Sequence, residues 1–245
     1  MIFYVGLHQP SDAQHFERCM VSVNRLRRRV SDFAVDRWMM DSGAFTEVTK
    51  HGGFRESPEE YASQVDRWHQ CGTMEAAVTQ DWMCEPWVLE ITGSTVREHQ
   101  GRTVDRYDRI LRAIRSDAYL MPVLQGFAPH EYAEHLAMYN ERIGAGAWVG
   151  VGSVCKRNTS VAEIEDVLCA IKEVRPDIRI HGFGIKTTAL TSSIVRGSLY
   201  SSDSMAWSYA ARKQGRDGNS WKEARRFMQR IQRQPVQTNL WEPAP

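Results

Sequence analysis

Residues 39 to 48 read MMDSGAFTEV, and this stretch sets the pattern for the rest of the chain. Met39 and Met40, with Trp38 before them, have the apolar character of a buried strand, and the strand then ends in Asp41. The next residues, Ser-Gly-Ala, are too small to cover a carboxylate. We therefore expect Asp41 to be left open at a strand end because a ligand must reach it.

The same arrangement of a short apolar run followed by an amphipathic stretch continues along the chain. Predicted strands cover residues 2–7, 37–42, 75–81, 119–126, 148–153, 179–184 and 198–203, and predicted helices cover 57–70, 96–115, 129–143 and 161–174. This alternation is typical of a parallel sheet with helices outside it. We predict an α/β fold, a single-domain (β/α)8 TIM barrel, with an open doubly wound sheet as the alternative. The barrel requires an eighth strand, which we expect near residues 30–36 or close to the C-terminus.

Polar or small residues recur at the ends of the predicted strands. They are Asp41, Asp81, Gln125, Gly152, Gly182, Gly184 and Asp203. In a parallel barrel this rim is where active sites are built. Each residue also has a structural interpretation, since Asp41 and Asp203 could cap the helices that follow them and His181 could be a core histidine. The joint pattern on four strands favours a site.

Composition excludes several classes of protein. The 245 residues are 42% apolar and 25% charged, as in an ordinary globular protein. No apolar run approaches the roughly 20 residues of a membrane span, and the first residues, MIFYVGLHQP, lack a basic segment, so we expect a cytoplasmic protein with no membrane partner. The five cysteines are scattered without a Cys-x-x-Cys pair, which signals neither a zinc site nor a disulfide framework.

Arginine is used far more than lysine, 25 residues against 6. The arginines cluster in RLRRR, residues 25–29, and in a predicted last helical stretch from Arg212 to Arg233. The planar guanidinium suits phosphate, although an arginine-rich genome would give the same bias. We expect phosphate binding chiefly at the C-terminal cluster.

Six segments, in this order, resemble the tRNA-guanine transglycosylase family, whose members are (β/α)8 barrels that exchange guanine in nucleic acid for a 7-deazaguanine. The segments are MDSGAF, VTQDWMCEP, PVLQG, WVGVGS, HGFGIK and RGSLYSSDSMAWSYAAR, and together they span roughly residues 37 to 213. They are similar to the family's Asp-Ser-Gly-Gly-aromatic, Phe-Asp-Glu-Cys, Gln-Gly, Val-Gly-Gly and Gly-Val-Gly-Lys segments and to the arm carrying its nucleophilic aspartate.

The resemblance implies a role for each matching residue. Asp203 would be the nucleophile that holds the sugar as an ester, Asp41 the acid and base, and Phe45 the ring that stacks on the extruded base. The base edge would be recognised by Asp81, Gln125, Gly152, Ser153, His181 and Gly182. No cofactor or metal is implied.

The chain departs from the tRNA-modifying members in ways that favour the compact DNA-guanine transglycosylases, including phage-encoded ones, which place 7-deazaguanines in DNA and so blunt restriction. No cysteine follows Cys169, so the family's zinc subdomain is absent, and Trp207-Ser208-Tyr209 replaces Pro-Thr-Arg while Arg212 is kept. We predict a barrel domain over residues 1–215 and a C-terminal basic helix and tail, 216–245, packed on it.

We therefore expect DNA and a free 7-deazaguanine base as partners, with nucleic acid bound through Arg212, Lys213, Arg226 and Arg230. The alternatives are a compact tRNA-guanine transglycosylase, a non-catalytic partner subunit and an unrelated barrel enzyme acting on a phosphorylated small molecule. A homodimer is compatible with the sequence. If the chain is phage-encoded, its location would be the host cytoplasm.

Overall fold

A computed structural model describes residues 1–154 and 160–233 and shows a parallel β-barrel surrounded by helices. The strands are β1 (Ile2–Leu7), β2 (Arg18–Ser22), β3 (Arg37–Asp41), β4 (Thr73–Val78), β5 (Leu120–Met121), β6 (Val123–Leu124), β7 (Trp148–Val151), β8 (Arg179–Gly182) and β9 (Leu199–Ser204). They pair in the order β5-β4-β3-β2-β1-β9-β8-β7-β6.

The two ends of this sheet meet at Pro122, which alone separates β5 from β6. Proline has no N–H to donate, but its carbonyl accepts a hydrogen bond from the Gly150 N–H on β7 at 2.8 Å. The segment from β5 to β6 therefore acts as one strand between β4 and β7, and eight strand positions close the barrel. The predicted (β/α)8 TIM-barrel fold is confirmed.

The expected position of the eighth strand was wrong. It lies at Arg18–Ser22 and pairs in parallel with both β1 and β3. Only short 3-10 helices, Pro10–His15 and Val23–Arg25, occur in the connections after β1 and β2, so the usual strand-helix alternation does not mark this strand.

The helices are α1 (Ala44–His51), α2 (Pro58–His69), α3 (Pro86–Thr92), α4 (Val96–Ala113), α5 (Pro129–Tyr139), α6 (Val161–Val174), α7 (Ser193–Ser198), α8 (Ala206–Lys213) and α9 (Trp221–Arg233). Reciprocal hydrogen bonds of capping boxes fix the starts of two of them, with Ser57 and Glu60 at α2 and Thr95 and Glu98 at α4. Within the described residues no helix is long and apolar enough to cross a membrane.

The predicted last helical stretch is two helices rather than one. Residues 214–220 separate α8 from α9, and Gly215 there has a left-handed φ of 67° that a continuous helix would not allow. α9 packs on β1, with the Phe227 and Phe3 ring centroids 6.2 Å apart. The tail from 234 to 245 lies outside the described residues, and the division at residue 215 stays a prediction.

The barrel interior below the mouth is filled by side chains from alternating strand positions. They are Tyr4, Met20, Met39, Ala76, Val78, Met121, Val123 and Trp148. Complete burial of a side chain such as Met39 contributes about 1.5 to 3 kcal/mol. This packed apolar layer fills the barrel and supports the residues that the strand ends present above it.

Candidate active site

A cavity of about 330 Å³ opens at the carboxyl-terminal mouth of the barrel. Seven of the residues predicted for the site line it: Asp41, Phe45, Asp81, Gln125, Gly152, Ser153 and Asp203. They come from segments spread over more than half of the chain, and the barrel brings them together because every strand ends at the same face.

Asp203 lies near the end of β9 and is held from one side. Its Oδ1 atom accepts a hydrogen bond from the Gly184 N–H at 2.9 Å, and His181 Nε2 lies 3.3 Å from the same oxygen. Within residues 1–154 and 160–233, no hydrogen bond to Oδ2 is formed. Asp203 therefore offers one free carboxylate oxygen to the cavity.

A buried hydrogen-bond chain orients His181 behind Asp203. The indole Nε1–H of Trp148 donates to Ser201 Oγ at 2.8 Å, and Ser201 Oγ lies 2.9 Å from His181 Nδ1. Because an indole only donates, the Ser201 proton is available for His181 Nδ1, which leaves the Nε2–H to donate to Asp203. His181 therefore contacts Asp203 and does not itself line the cavity.

Asp41 at the end of β3 is the second carboxylate. Burial raises its pKa, a side-chain hydrogen bond from Ser22 opposes the shift, and the charge of Asp203 raises the pKa further. Its Oδ2 accepts a hydrogen bond from the Gly43 N–H at 3.1 Å. The N-cap residue of α1 is Gly43, with a φ of 75°, and not Asp41.

Neither acid serves as the helix cap that its position in the sequence allowed. The N-cap residues of α1 and α8 are Gly43 and Met205, and neither residue makes a side-chain capping hydrogen bond to its helix. At the start of α8, Ser204 Oγ accepts a hydrogen bond from the Ala206 N–H instead. Both carboxylates are therefore available to the cavity.

Asp81, Gln125 and Ser153 form a connected polar floor on the other side of the cavity. Gln125 Nε2 donates a short hydrogen bond to Asp81 Oδ2, and Ser42 Oγ donates to Asp81 Oδ1 at 3.3 Å. Burial raises the pKa of Asp81 to about 7, although the Gln125 hydrogen bond lowers it. This carboxyl group therefore changes its charge close to neutral pH.

Ser153 links the floor to an acid that the sequence analysis missed. Its hydroxyl lies 2.7 Å from Gln125 Oε1 and 2.8 Å from Glu85 Oε2, and it accepts a hydrogen bond from the Cys84 N–H. Ser153 has a left-handed φ of 55°, which is uncommon outside glycine and often found at functional sites. Glu85 belongs to the QDWMCEP segment. Its closeness to Asp81 in the sequence was the signal that could have identified it as a site residue.

The mouth of the cavity is bordered by two half-exposed apolar side chains. Phe45, 50% exposed, meets Trp87 edge to face with ring centroids 6.2 Å apart. Met205, 37% exposed, lies across Gly6, where a Cβ atom would sit only 2.2 Å from Met205 Cγ. A flat ligand entering the cavity would pass between these apolar surfaces.

Six predicted site residues do not line the cavity. His181 is fully buried behind Asp203, and the Gly182 carbonyl is occupied by Ser202 Oγ. The remaining four are Arg212 and Lys213 at the end of α8 and Arg226 and Arg230 on α9.

The arginines of α9 lie on the flank of the barrel. Arg226 and Arg230 line a separate groove together with Arg216. α9 runs away from the mouth, because its end at Ile231 shares a groove with Ile2 and Arg18, near the starts of β1 and β2.

Among residues 1–154 and 160–233, no group of three or more His, Cys, Asp or Glu side chains is placed to hold a metal ion. The groups arranged around the cavity are carboxylates, an amide, hydroxyls and backbone amides. They can attack an electrophilic carbon, move a proton and hydrogen-bond a polar heterocycle.

Comparison with known proteins identifies a family. No curated protein matches the chain. The family model of DpdA, described as DeoxyPurine in DNA protein A, matches residues 1–236, which is nearly the whole sequence, and the chain therefore belongs to the DpdA family.

Proposed function

We propose that the protein is a DNA-guanine transglycosylase, which exchanges guanine in DNA for a 7-deazaguanine through a covalent ester of Asp203. The observation that carries the proposal is the presence of two carboxylates, Asp203 and Asp41, on one cavity whose floor is a hydrogen-bonding surface for a base. The same pair argues against a non-catalytic partner subunit.

In the first step, the free Oδ2 of Asp203 attacks C1′ of the extruded deoxyguanosine. The bond between C1′ and N9 breaks, and guanine leaves with a proton from Asp41. The raised pKa of Asp41 supports this donor role, because a carboxyl group must be protonated to act as an acid.

In the second step, Asp41 takes a proton from the incoming 7-deazaguanine, whose ring nitrogen attacks C1′. The ester bond to Asp203 breaks and the carboxylate is regenerated. Two displacements on the same carbon retain its configuration, as in retaining glycosidases. The reaction needs no other reactant, since one base replaces another.

The floor of the cavity would select the base. Ionised Asp81 accepts hydrogen bonds from the ring N–H and amino group of a 2-aminopurine edge, and Gln125, Gly152 and Ser153 border the same space. Phe45 would supply the stacking surface that replaces the neighbouring bases of the DNA.

The choice of DNA over tRNA rests on the family, whose description names a deoxypurine in DNA. A compact tRNA-guanine transglycosylase is the competing function.

If the protein modifies DNA as proposed, the modified DNA would resist restriction enzymes. The cytoplasmic location and the homodimer remain predictions from the sequence, as does phosphate binding by Arg212, Lys213, Arg226 and Arg230.

The experiment is an exchange assay in which the protein is incubated with a 7-deazaguanine and either DNA or tRNA carrying radiolabelled guanine. We expect loss of label from DNA and retention in tRNA. Loss from tRNA alone would assign the protein to the competing function, and retention in both polymers would contradict the transglycosylase proposal.

A further inference from the structure

A second concave surface lies beside the cavity and is lined by four arginines. This rim groove has a volume of about 450 Å³, and its lining residues are Asn24, Arg25, Arg27, Arg28, Thr46, Arg55 and Glu56. Thr46 follows Phe45 of the cavity, and Asn24 Nδ2 donates to the Gly43 carbonyl at 3.4 Å. The rim groove and the cavity therefore share the loop after β3 as a common wall.

Two of its four arginines are fixed by acids. Arg27 and Arg55 both contact Glu47, at 2.9 and 2.8 Å, and Arg27 also contacts Glu56 at 2.8 Å. Burial of Glu47 opposes its ionisation, yet the hydrogen bonds from Arg55 and Arg27 lower its pKa to about 2. Glu47 is thus a permanent anion that holds one side of the rim groove in place.

The other two arginines are exposed and carry uncompensated charge. Neither Arg25 nor Arg28 forms an ion pair within the described parts of the chain, and the same holds for Arg212 of α8. Some other exposed arginines do have acidic partners, such as Arg109 with Glu59.

His8, which directly follows β1 at the mouth, is acted on by the charges of both Arg25 and Arg212. Ser208 Oγ donates its proton to the Gly218 carbonyl, so His8 Nε2 must donate to Ser208 Oγ, 2.7 Å away. Burial lowers the pKa of His8, and the charges of Arg25 and Arg212 lower it further. Arg25 follows β2 and Arg212 lies on α8 after β9, so arginines from two parts of the rim place positive charge near His8.

The barrel order explains why a phosphate surface belongs here. The base floor lies after β4, β6 and β7, whereas Asp203 and Asp41 lie on β9 and β3, on either side of β1 and β2. If the base points to the floor and C1′ meets Asp203, the sugar-phosphate chain must leave across β1 and β2. This part of the rim carries no α-helix after either strand, so a polymer strand has access to it.

We propose that the rim groove, with Arg25 and Arg28 as its free cations and Arg212 beside it, binds the DNA phosphates that flank the extruded nucleotide. The inference rests on the proposed function and names the surface through which that function engages its polymer. Exposed guanidinium groups bind phosphate by charge and by paired N–H donors. Each such contact releases counterions, so it makes DNA affinity depend on salt.

The test is the salt dependence of binding for the variant Arg25→Ala/Arg28→Ala, measured by fluorescence anisotropy with a guanine-containing DNA oligonucleotide. We expect the Kd to rise about tenfold at low salt. The slope of log K against log salt should fall by about 1.5 units, since two phosphate contacts are removed. The Kd for free guanine checks that the variant is folded.

Two further variants make the result specific to the rim groove. Arg112→Ala/Arg115→Ala removes the same charge from two exposed arginines, one in the last turn of α4 and one just after it, and should leave the slope close to that of the parent. Arg226→Ala/Arg230→Ala tests the rival surface on α9. An unchanged slope in the Arg25/Arg28 variant, or an equal loss in the α4 control, would overturn the inference, and a loss confined to the α9 variant would move the phosphate site to α9.

The binding test and the exchange test fail separately. If the parent protein removes no label from DNA, the proposed function is wrong whatever the salt slopes are. If it exchanges guanine while the Arg25/Arg28 variant keeps the parental slope, only the rim groove is wrongly assigned.

Discussion

The two halves of the barrel mouth differ in burial, in hydrogen bonding and in charge. The half after β4, β6 and β7, which we call the base half, presents buried polar groups that are hydrogen-bonded to one another, such as Asp81 and Gln125. The half after β1 and β2, the backbone half, has short 3-10 helices in its connections and presents the exposed Arg25 and Arg28, which form no ion pair within the described residues. Asp41 and Asp203 stand at the two boundaries between them.

The difference matches the two parts of a nucleotide. A base is flat and is recognised by a fixed set of donors and acceptors, so its site must be rigid and internally satisfied. A sugar-phosphate chain is charged and continuous, so its site must be open and positively charged. A carboxylate at the boundary can reach the bond that joins the two parts.

The largest expected effect is at Asp203. Asp203→Asn keeps the size of the side chain and its contacts with Gly184 and His181 but removes the nucleophilic charge. We expect exchange of labelled guanine in DNA to fall below detection, with the Kd for free guanine unchanged. Asp105→Asn, an exposed aspartate of α4, is the matched control. Parental turnover in Asp203→Asn would remove this residue from the nucleophile role.

Asp41→Asn should lower the rate of exchange about 10²- to 10⁴-fold, because general acid–base catalysis is lost while the nucleophile remains. The variant should accumulate less ester as well, since guanine leaves without a proton. Single-turnover release of guanine from DNA measures this step. Normal release would show that Asp41 only supports the loop at Gly43.

The base half predicts a pH dependence with a definite sign. Burial raises the pKa of Asp81 to about 7, and a bound purine edge needs the ionised form. Binding of free guanine should therefore strengthen as pH rises from about 6 to about 8, approaching tenfold per unit below the pKa, and should release a proton below it. Calorimetry in buffers of different ionisation enthalpy measures both. Binding that weakens over this range would contradict the assignment.

A smaller effect is expected at Ser201, the serine that orients His181. Ser201→Ala should lower kcat by roughly tenfold and leave the KM for DNA unchanged, because the Nε2–H is no longer directed at Asp203. Ser202→Ala is the matched control, since Ser202 is equally buried but bonds the Gly182 carbonyl. Equal losses of kcat in both variants would show that the hydrogen bond from Ser201 to His181 has only a structural role.

Seven of the eight strand positions were predictable from the sequence because each strand is short, apolar and followed by a polar or small residue, although β4 and β7 end at Val78 and Val151 rather than at the predicted residues 81 and 153. β2 was not, since the connections on either side of it lack an α-helix. The packing of α9 on β1 joins residues more than two hundred positions apart, and local periodicity carries no information about such contacts. The break between α8 and α9 was signalled by Gly215 and Gly218.

The composition of the site was predictable where side chains point into the cavity. Asp41, Asp81 and Asp203 are charged groups at strand ends, and few structural roles explain all three together. The orientation of His181 was not predictable, because it depends on a cross-strand hydrogen bond to Ser201. Arg25 and Arg226 look equivalent in the sequence, and only the barrel geometry puts one at the mouth and the other on the flank.

The central claim is that the boundary carboxylate Asp203 becomes joined to the DNA. The measurement is to denature the protein with a guanine-containing DNA oligonucleotide, without an incoming base, and to map the attached nucleotide by mass spectrometry of tryptic peptides. We expect the oligonucleotide on the peptide from 197 to 212, at Asp203. An adduct on Asp41 or Asp81, or the release of guanine without any adduct, would contradict the account.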